Sequence, residues 1–382
     1  MSSPAATNGE EPVVKKKKKI KQSQIPSLPD DVLVSCLARV SRLHYPILSL
    51  VSKNFRSLIA SPELYKTRSL LGRTESCLYV CLGFPPDPYN QRWFTLCMKP
   101  NRTVANKKPS CNILVPIPTS NSPPTQWLNL VSVGSNIYTV GGSFVNGLSS
   151  RVSILDCQTH TWREAPSMRL ERYNPSANVV DGKIYVAGGC KDLESSNWME
   201  VFDPKTQTWE PVLAPLKRRF KNYIHKSLVM KGVIYFGGDK GLVYKPREGK
   251  WFGVSLLKDL QRVGVSYCVI GNVLYLYGSG NRIRWYDSKL YNWMNLKGME
   301  GLPNFAFCGF VRLVDYGRKM AILWSEFLLS DSGCDDKIMI WCAVIALERR
   351  NSEEMWGKVE WTDEVLTVPV ACEFVCALST IV

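Results

Sequence analysis

The sequence has 382 residues, 45% of them hydrophobic, and a formal net charge of +15 from 48 basic and 33 acidic residues. This length suggests about two domains of roughly 150 residues each. The 13 cysteines are scattered without a Cys-x-x-Cys pair and are accompanied by only three histidines. This composition disfavours a zinc site or a disulfide scaffold, and it fits a reducing intracellular compartment.

Residues 1–24 form a Ser/Pro/Glu-rich and then basic tail that contains the lysine run Lys15 to Lys21. We expect this tail to be disordered and its lysines to serve either as a nuclear import signal or simply as a solvated charge run. No apolar export segment is visible. The most apolar run, 338–347, has ten residues, about half of the ~20 that a spanning helix needs. The sequence therefore predicts no membrane association and a location in the cytoplasm, the nucleus or both.

A small all-α module is predicted within residues 25–71. Pro29 followed by Asp30 and Asp31 is typical of a helix start, because proline fits the first turn and acidic residues complement the helix dipole. Apolar residues then recur with helical spacing on one face. They are Val32, Leu33, Cys36, Leu37 and Val40. Two or three further helices follow, and because about 45 residues bury only a marginal core, such a module favours a partner.

From residue 72 onward the sequence predicts an all-β domain in which one unit returns four times. Each unit contains an aliphatic-Tyr run that ends on two small residues, and a Trp follows after a polar turn. The first glycines of these runs are Gly141, Gly188, Gly237 and Gly278, at intervals of 47, 49 and 41 residues. The tryptophans are Trp162, Trp209, Trp251 and Trp293. With Gly or Asp-Gly hairpin turns upstream, each unit predicts four short antiparallel strands.

Four such units are too few to close a ring, and the remaining segments supply two more. Residues 77–84, 92–98 and 111–116 read as the second, third and fourth strands of a unit that lacks its first strand. The C-terminal segment 372–382 is mostly apolar, as the missing first strand should be. We therefore expect it to complete this unit and so bring the two ends of the chain together. A degenerate unit over residues 307–361 brings the total to six.

The Gly-Gly pair followed by a Trp resembles the kelch repeat. This resemblance implies that residues 72–382 form a kelch-type β-propeller, with six blades on the count above. The paired glycines would allow a close backbone approach or a positive φ, and the Trp would fill the wedge between neighbouring blades.

The helical module resembles the F-box. Two stretches carry the resemblance: the motif Leu28, Pro29, Asp30, Val32 and Leu33, and the later segment Leu50 to Ile59. This chain has Phe55 where many members carry Trp, and Ser52 where Cys is frequent. The order of an F-box followed by kelch repeats resembles the plant F-box/kelch-repeat family.

The resemblance implies a substrate receptor of an SCF-type ubiquitin ligase. Its F-box would dock a Skp-type adaptor that links to a cullin and RING scaffold, and its propeller would hold a protein target whose identity the sequence leaves open. The adaptor contacts that it implies are Leu28, Pro29, Leu33, Leu50 and Val51. Such a receptor acts through proximity rather than bond chemistry, so we expect no catalytic residue, no cofactor and no metal.

Arginines that enter the repeats predict where a target binds. Arg172, Arg219 and Arg262 stand 16, 18 and 16 residues before the first glycine of their repeats, so three blades would present a guanidinium at one face. Because guanidinium groups bind carboxylates bidentately, we expect an acidic segment on the target. The predicted set is Arg169, Arg172, Tyr173, Arg218, Arg219, Lys221 and Arg262. The alternative is that these arginines stack on neighbouring blades or keep the surface soluble.

Other functions are weighed against this one. A propeller enzyme would need a metal or cofactor, but His160 and His225 are isolated, and no nucleophile elbow, P-loop or His-Glu-x-x-His motif occurs. A nucleic-acid binder would explain the basic charge and would bind with a steep salt dependence, but no base-stacking platform is apparent. A kelch scaffold outside ubiquitination is a further alternative.

Overall fold

The structure is a computed structural model that describes residues 28–87, 90–99, 111–118, 122–143, 147–191, 197–213, 226–237, 241–253, 265–278, 282–287, 291–328, 337–351 and 353–382. Short helices come first in these ranges and β-strands follow. The predicted N-terminal tail, with its lysine run, lies outside the described residues. No helix within them is long and apolar enough to cross a membrane.

The helical module contains α1 Asp30–Leu37, α2 Tyr45–Leu48, α3 Lys53–Ile59 and α4 Pro62–Leu70, with a 3-10 turn at Arg42–His44. Serine side chains cap two of these helices. The Ser52 hydroxyl accepts from the Phe55 N–H at 3.1 Å, and the Ser61 hydroxyl accepts from the Leu64 N–H at 3.4 Å. The buried centre of the module is small and consists of Leu37, Ala38, Tyr45 and Leu64.

The strands form six four-stranded antiparallel sheets, the blades of a propeller. Blade one contains β24 Glu373–Ile381, β1 Ser76–Phe84, β2 Asn90–Met98 and β3 Asn112–Pro116; blade two contains β4 Leu130–Val133, β5 Asn136–Val140, β6 Val152–Asp156 and β7 Thr161–Ala165; blade three contains β8 Ser176–Val180, β9 Lys183–Ala187, β10 Met199–Asp203 and β11 Thr208–Val212. Blade four contains β12 Lys226–Met230, β13 Val233–Gly237, β14 Leu242–Lys245 and β15 Lys250–Gly253; blade five contains β16 Ser266–Ile270, β17 Val273–Tyr277, β18 Ile283–Asp287 and β19 Asn292–Asn295; blade six contains β20 Val311–Tyr316, β21 Lys319–Leu328, β22 Lys337–Arg349 and β23 Met355–Pro369. The six-bladed architecture expected from the sequence is confirmed.

The ring is closed by the C-terminal strand, as the sequence predicted. β24 pairs with β1 along its length, from Ser76 opposite Ile381 to Gly83 opposite Glu373. It takes the place of a first strand, because the sheet order is β24-β1-β2-β3. The first strands of all six blades line a central channel of about 530 Å³. The two ends of the chain therefore meet in one blade.

The paired glycines leave space for the segment that connects blade two to blade three and contains Arg172 and Tyr173. A Cβ on Gly142 would lie 1.7 Å from the Gly147 oxygen, and one on Gly189 would lie 2.3 Å from the Tyr173 oxygen. The Gly142 N–H donates to the Arg172 carbonyl at 2.9 Å, and the Tyr173 N–H donates to the Gly189 carbonyl at 2.7 Å. The connection is thus held between the glycine pairs of blades two and three, with no room for side chains.

Two of the repeat tryptophans, Trp209 and Trp251, link their blade to the preceding one. The Trp209 indole donates to the Pro166 carbonyl at 2.8 Å, and the Trp251 indole donates to the Leu213 carbonyl at 2.9 Å. Trp209 also packs against Phe202, with 4.9 Å between the ring centroids. The side chain therefore contributes both apolar contact and a directed hydrogen bond across the gap between blades.

The propeller has two different ends. At the hairpin end, the first strand of a blade turns into the second. The turns there contain Gly134, Gly182, Gly232, Gly271 and Gly317, each with a positive φ. At the opposite end, the glycine end, second strands finish at or next to the repeat glycines. The helical module joins the hairpin end, since its chain enters β1 there through Glu75.

Glu75 holds the helical module and the ring closure together. Its carboxylate accepts from the Arg68 guanidinium at 2.9 Å, from the Ser41 hydroxyl at 2.9 Å and from the Arg42 backbone N–H. Its backbone pairs with Val382, with N–H to oxygen distances of 3.0 and 2.9 Å. One residue therefore connects α4, the turn after α1 and the last residue of the ring.

A second group of contacts extends this junction to blade two. The Arg42 guanidinium donates to the Cys157 carbonyl at 2.8 Å and lies over the Tyr65 ring at 5.3 Å. His160 Nε2 lies 3.0 Å from the Tyr79 hydroxyl. Burial, together with the nearby charge of Arg42, lowers the pKa of His160 to about 4. The imidazole is therefore neutral at physiological pH.

We predict that deleting residues 373–382 causes the protein to aggregate. The deletion exposes the edge of β1 and removes buried Cys376 and Ala377 from the core. The loss is several kcal/mol, against a total stability of roughly 5–15 kcal/mol. Size-exclusion chromatography and thermal melting measure the result.

The control is Ile381→Ser, because Ile381 lies in the same strand but is 59% exposed. We expect this variant to remain monomeric and to melt close to the wild type. A soluble deletion variant with an unchanged melting temperature would contradict the closure described above.

Candidate functional site

The helical module exposes an apolar surface. Leu50 is 75% exposed, Val51 63% and Leu28 55%, whereas Leu33 is half-buried and Pro29 is exposed. All five are residues for which the sequence predicted adaptor contact. Single exposed apolar residues are common, but several on one small module are characteristic of an interaction surface.

A hydrogen bond brings the two parts of this surface together. The Asn54 side chain donates to the Asp30 carboxylate at 3.0 Å. It therefore links the start of α3, which follows Leu50 and Val51, to the start of α1, which follows Pro29. Segments about twenty residues apart in sequence thus lie side by side. We name Leu28, Pro29, Leu33, Leu50 and Val51 the module surface.

A second exposed apolar set lies at the glycine end of the propeller. Phe307 is 82% exposed, Leu213 75% and Phe327 59%. Phe307 precedes β20 and Leu213 follows β11. Phe327 is the second-to-last residue of β21, which ends at the glycine end. Leu148, Leu328 and Val370 are further exposed apolar residues at the same end. No sequence pattern indicated these residues, because they are isolated in loops or at strand ends and follow no spacing rule.

The prediction that Arg172 presents its guanidinium to a target is wrong. Arg172 is 0% exposed and forms an ion pair with Glu200, with 2.9 Å between Nε and the carboxylate oxygen. Its other nitrogens donate to the carbonyls of Gly188, Trp198 and Asn197 at 2.8 to 2.9 Å. Every one of these groups belongs to blade three. The side chain thus secures the connection between blades, close to the structural role weighed as the alternative.

The other members of the predicted target set have different positions. Arg169 is exposed, and its backbone N–H donates to the second oxygen of Glu200 at 2.9 Å. Tyr173 is half-buried. Arg218, Arg219, Lys221 and Arg262 lie outside the described residues. The structure therefore brings Arg169, Arg172 and Tyr173 together at the connection into blade three, with Arg169 as the exposed cation.

The described residues hold no group of three or more His, Cys, Asp or Glu side chains arranged to bind a metal ion. His160 contacts Tyr79, and Cys157 lies within the junction to the helical module. The exposed leucine, valine and phenylalanine side chains at both surfaces can bind a partner through apolar contact.

Two family models match successive parts of the chain. A model of the FKB95 kelch-repeats domain matches residues 93–366, and a model of the F-box domain matches residues 25–67. The chain is 58% identical over 368 residues to F-box/kelch-repeat protein At4g39550 of Arabidopsis thaliana, covering 93% of each sequence. It is 50% identical over 356 residues to F-box/kelch-repeat protein At4g39580 (93% of each) and 51% identical over 365 residues to F-box/kelch-repeat protein At5g51250 (92% of this chain and 99% of the relative), both from the same organism.

We predict that Arg172→Met destabilises the propeller by roughly 3–5 kcal/mol, because it leaves the buried Glu200 carboxylate without its oppositely charged partner. The double variant Arg172→Met with Glu200→Met removes both charges and should recover part of that loss. Urea unfolding followed by tryptophan fluorescence measures the free energy of unfolding.

Arg169→Met is the matched control, since the same substitution at this exposed site should change stability by less than about 0.5 kcal/mol. If Arg172→Met proved as stable as Arg169→Met, the structural role of Arg172 would be wrong.

Proposed function

Because this chain belongs to the F-box/kelch-repeat family, we propose that it is the substrate-recognition subunit of an SCF-type ubiquitin ligase. The F-box docks a Skp-type adaptor, which connects to a cullin and RING scaffold, and the propeller holds a protein target for ubiquitination. The observation that carries this proposal is the placement of two exposed apolar surfaces at opposite ends of one connected body. The proposed location is intracellular, in the cytoplasm or the nucleus, with the lysine run as a candidate import signal.

The module surface supports adaptor binding. Burying a leucine or valine side chain contributes about 1.5–3 kcal/mol, so Leu50 and Val51 alone can supply a substantial part of an interface energy. The core cluster that the module forms by itself has four buried side chains, Leu37, Ala38, Tyr45 and Leu64. An adaptor that covers this surface would extend a core that the module alone leaves small.

The glycine end supports target binding. Loops that connect strands diverge readily and carry recognition while the blades keep their geometry. Phe307 and Phe327 are large aromatic side chains at this end, and aromatic residues are enriched among those that dominate interface energies. Arg169 adds an exposed cation near the connection into blade three.

The junction at Glu75 supports action by proximity. A receptor raises the effective concentration of its target only if it holds the target in a fixed place relative to the scaffold. The bonds from Glu75 to Arg68, Ser41 and Val382 attach the helical module to the propeller through buried or half-buried groups. Bond formation would take place on the partner enzymes, and this chain would contribute position.

We predict that Leu50→Ser combined with Val51→Ser abolishes capture of a purified Skp-type adaptor. Both side chains are exposed in the free chain, so their replacement removes interface area while leaving the fold unchanged. Pull-down and calorimetry with the adaptor measure binding, and circular dichroism confirms that the helices remain.

Leu213→Ser is the matched control, because Leu213 has the same 75% exposure as Leu50 but lies at the glycine end. This variant should retain adaptor binding. Undiminished capture by the Leu50/Val51 variant would show that the adaptor does not use this surface, and failure of the wild-type chain to bind any Skp-type adaptor would refute the proposed function.

A further inference from the structure

A cleft of about 680 Å³ separates the connection that enters blade two from the sheet of that blade. Pro124 lines one wall, and Thr139, Ser153 and Glu164 line the other. These three residues lie opposite one another on β5, β6 and β7. They form one row across the sheet, close to the glycine end.

The same row exists in blade three, where it has different residues. There Val186 on β9 pairs with Glu200 on β10, and Glu200 pairs with Pro211 on β11. Thr139 of blade two thus corresponds to Val186, and Ser153 corresponds to Glu200. The repeat architecture allows a direct comparison of what fills each position.

In blade three, the space over this row is occupied by Arg172. Its guanidinium contacts the Glu200 carboxylate at 2.9 Å, the Gly188 carbonyl at 2.8 Å and the Trp198 carbonyl at 2.9 Å. Both charged side chains are almost completely buried, with exposures of 0% and 3%. Blade three therefore contains a formed guanidinium site that the chain itself fills.

In blade two, neither partner of that ion pair is present. The residue 16 positions before the first repeat glycine, which is Arg172 in blade three, is Thr125 in blade two. Its short side chain contacts Gln91 of blade one at 2.9 Å instead. Ser153 replaces Glu200 on the opposite wall. The space that an arginine occupies in blade three is therefore left as a cleft.

The backbone that would hold a guanidinium is retained. The Gly141 N–H donates to the Arg151 carbonyl at 2.9 Å, just as the Gly188 N–H donates to the Trp198 carbonyl at 3.0 Å. The carbonyls of Gly141 and Arg151 therefore correspond to the two that accept from Arg172. Both residues line the cleft.

Further acceptors lie on the cleft wall. The Thr139 hydroxyl belongs to a residue that is 3% exposed, and it has no hydrogen-bond partner among the described residues. In blades three, four and five its counterparts are the apolar residues Val186, Phe236 and Leu276. The Glu164 carboxylate is at the rim and is held by the exposed Arg151 at 3.4 Å. A buried hydroxyl without a partner is costly, and a donor group of a ligand in this cleft would satisfy it.

We propose that this cleft binds an arginine side chain of the target protein, in the place that Arg172 occupies in blade three. The proposal rests on the proposed function, since it names the feature that the receptor recognises. A guanidinium offers five donors in a plane, which suits the two carbonyls and the Thr139 hydroxyl. The Glu164 carboxylate is 71% exposed, so it would exchange its exposed ion pair with Arg151 for the guanidinium of the target. A lysine would supply a point charge without that planar set of donors.

The test uses the full chain and three small probes: N-acetyl-L-arginine methylamide, its neutral counterpart N-acetyl-L-citrulline methylamide, and the acidic N-acetyl-L-glutamate methylamide. Saturation-transfer NMR and calorimetry measure binding. We expect saturable binding of the arginine probe and at least tenfold weaker binding of the citrulline probe. Equal binding of both, no binding of the arginine probe, or preferred binding of N-acetyl-L-glutamate methylamide would overturn the proposal.

Two variants assign the binding to the cleft. Thr139→Val introduces the residue that blade three carries in this row, so the fold should tolerate it, and it should weaken arginine binding about fivefold. Thr139→Ser retains a hydroxyl and should bind as the wild type does. The double variant Thr125→Arg with Ser153→Glu copies the ion pair of blade three into blade two and should abolish binding.

Melting temperatures verify that each variant is folded. If the double variant does not fold, Thr139→Val alone tests whether arginine binds in the cleft. Arginine binding that is unchanged by Thr139→Val and by the folded double variant would place the probe elsewhere and overturn the proposal. Adaptor capture depends on the module surface alone. A chain that captures adaptor but does not bind the arginine probe would therefore refute the cleft and leave the proposed function standing.

Discussion

The structure depends on the point where the chain closes its own ring. β24 completes blade one, and the backbone bonds between Val382 and Glu75 are the last pair of that closure. The same Glu75 binds Arg68 and Ser41 of the helical module through its carboxylate. Since β24 covers the edge that β1 would otherwise expose and the module is anchored at the same place, ring closure and module orientation share one residue. A receptor that works by position requires such a connection.

Internal repetition explains both the stability of the propeller and its candidate binding site. Where the repeat is kept, as in the tryptophans that bond to the preceding blade, the side chains have structural partners. Where one blade has different residues at equivalent positions, its packing differs as well. Arg172 and Glu200 fill blade three, whereas Thr125 and Ser153 leave a cleft in blade two. Within the part of the chain that the structure describes, the hydroxyl of Thr139 has no partner. At equivalent positions, Arg172 and Glu200 therefore stabilise the fold, whereas Thr139 is part of the proposed binding cleft.

Much of the fold could be predicted from the sequence, because spacing and hydrophobic alternation determine it. The four clear repeats predicted their blades, and the need to close a ring predicted β24. The module surface followed from the F-box resemblance. Spacing placed Arg172 at the correct repeat position but could not predict its partner, since Glu200 lies 28 residues away and only the folded register brings the two together. Phe307 and Phe327 follow no pattern, and Glu75 lies between two elements, so nothing in the sequence indicated their positions.

The coupling of ring closure to the helical module is tested most directly by hydrogen–deuterium exchange of the full chain and its Glu75→Ala variant. The substitution removes the carboxylate that Arg68, Ser41 and Arg42 share, and it leaves the backbone of β1 in place. We expect faster exchange both in the helices of residues 30–70 and at the C-terminal end of β24, with the exchange rates of blade four unchanged. Faster exchange in the helices alone, or no change in either segment, would contradict it.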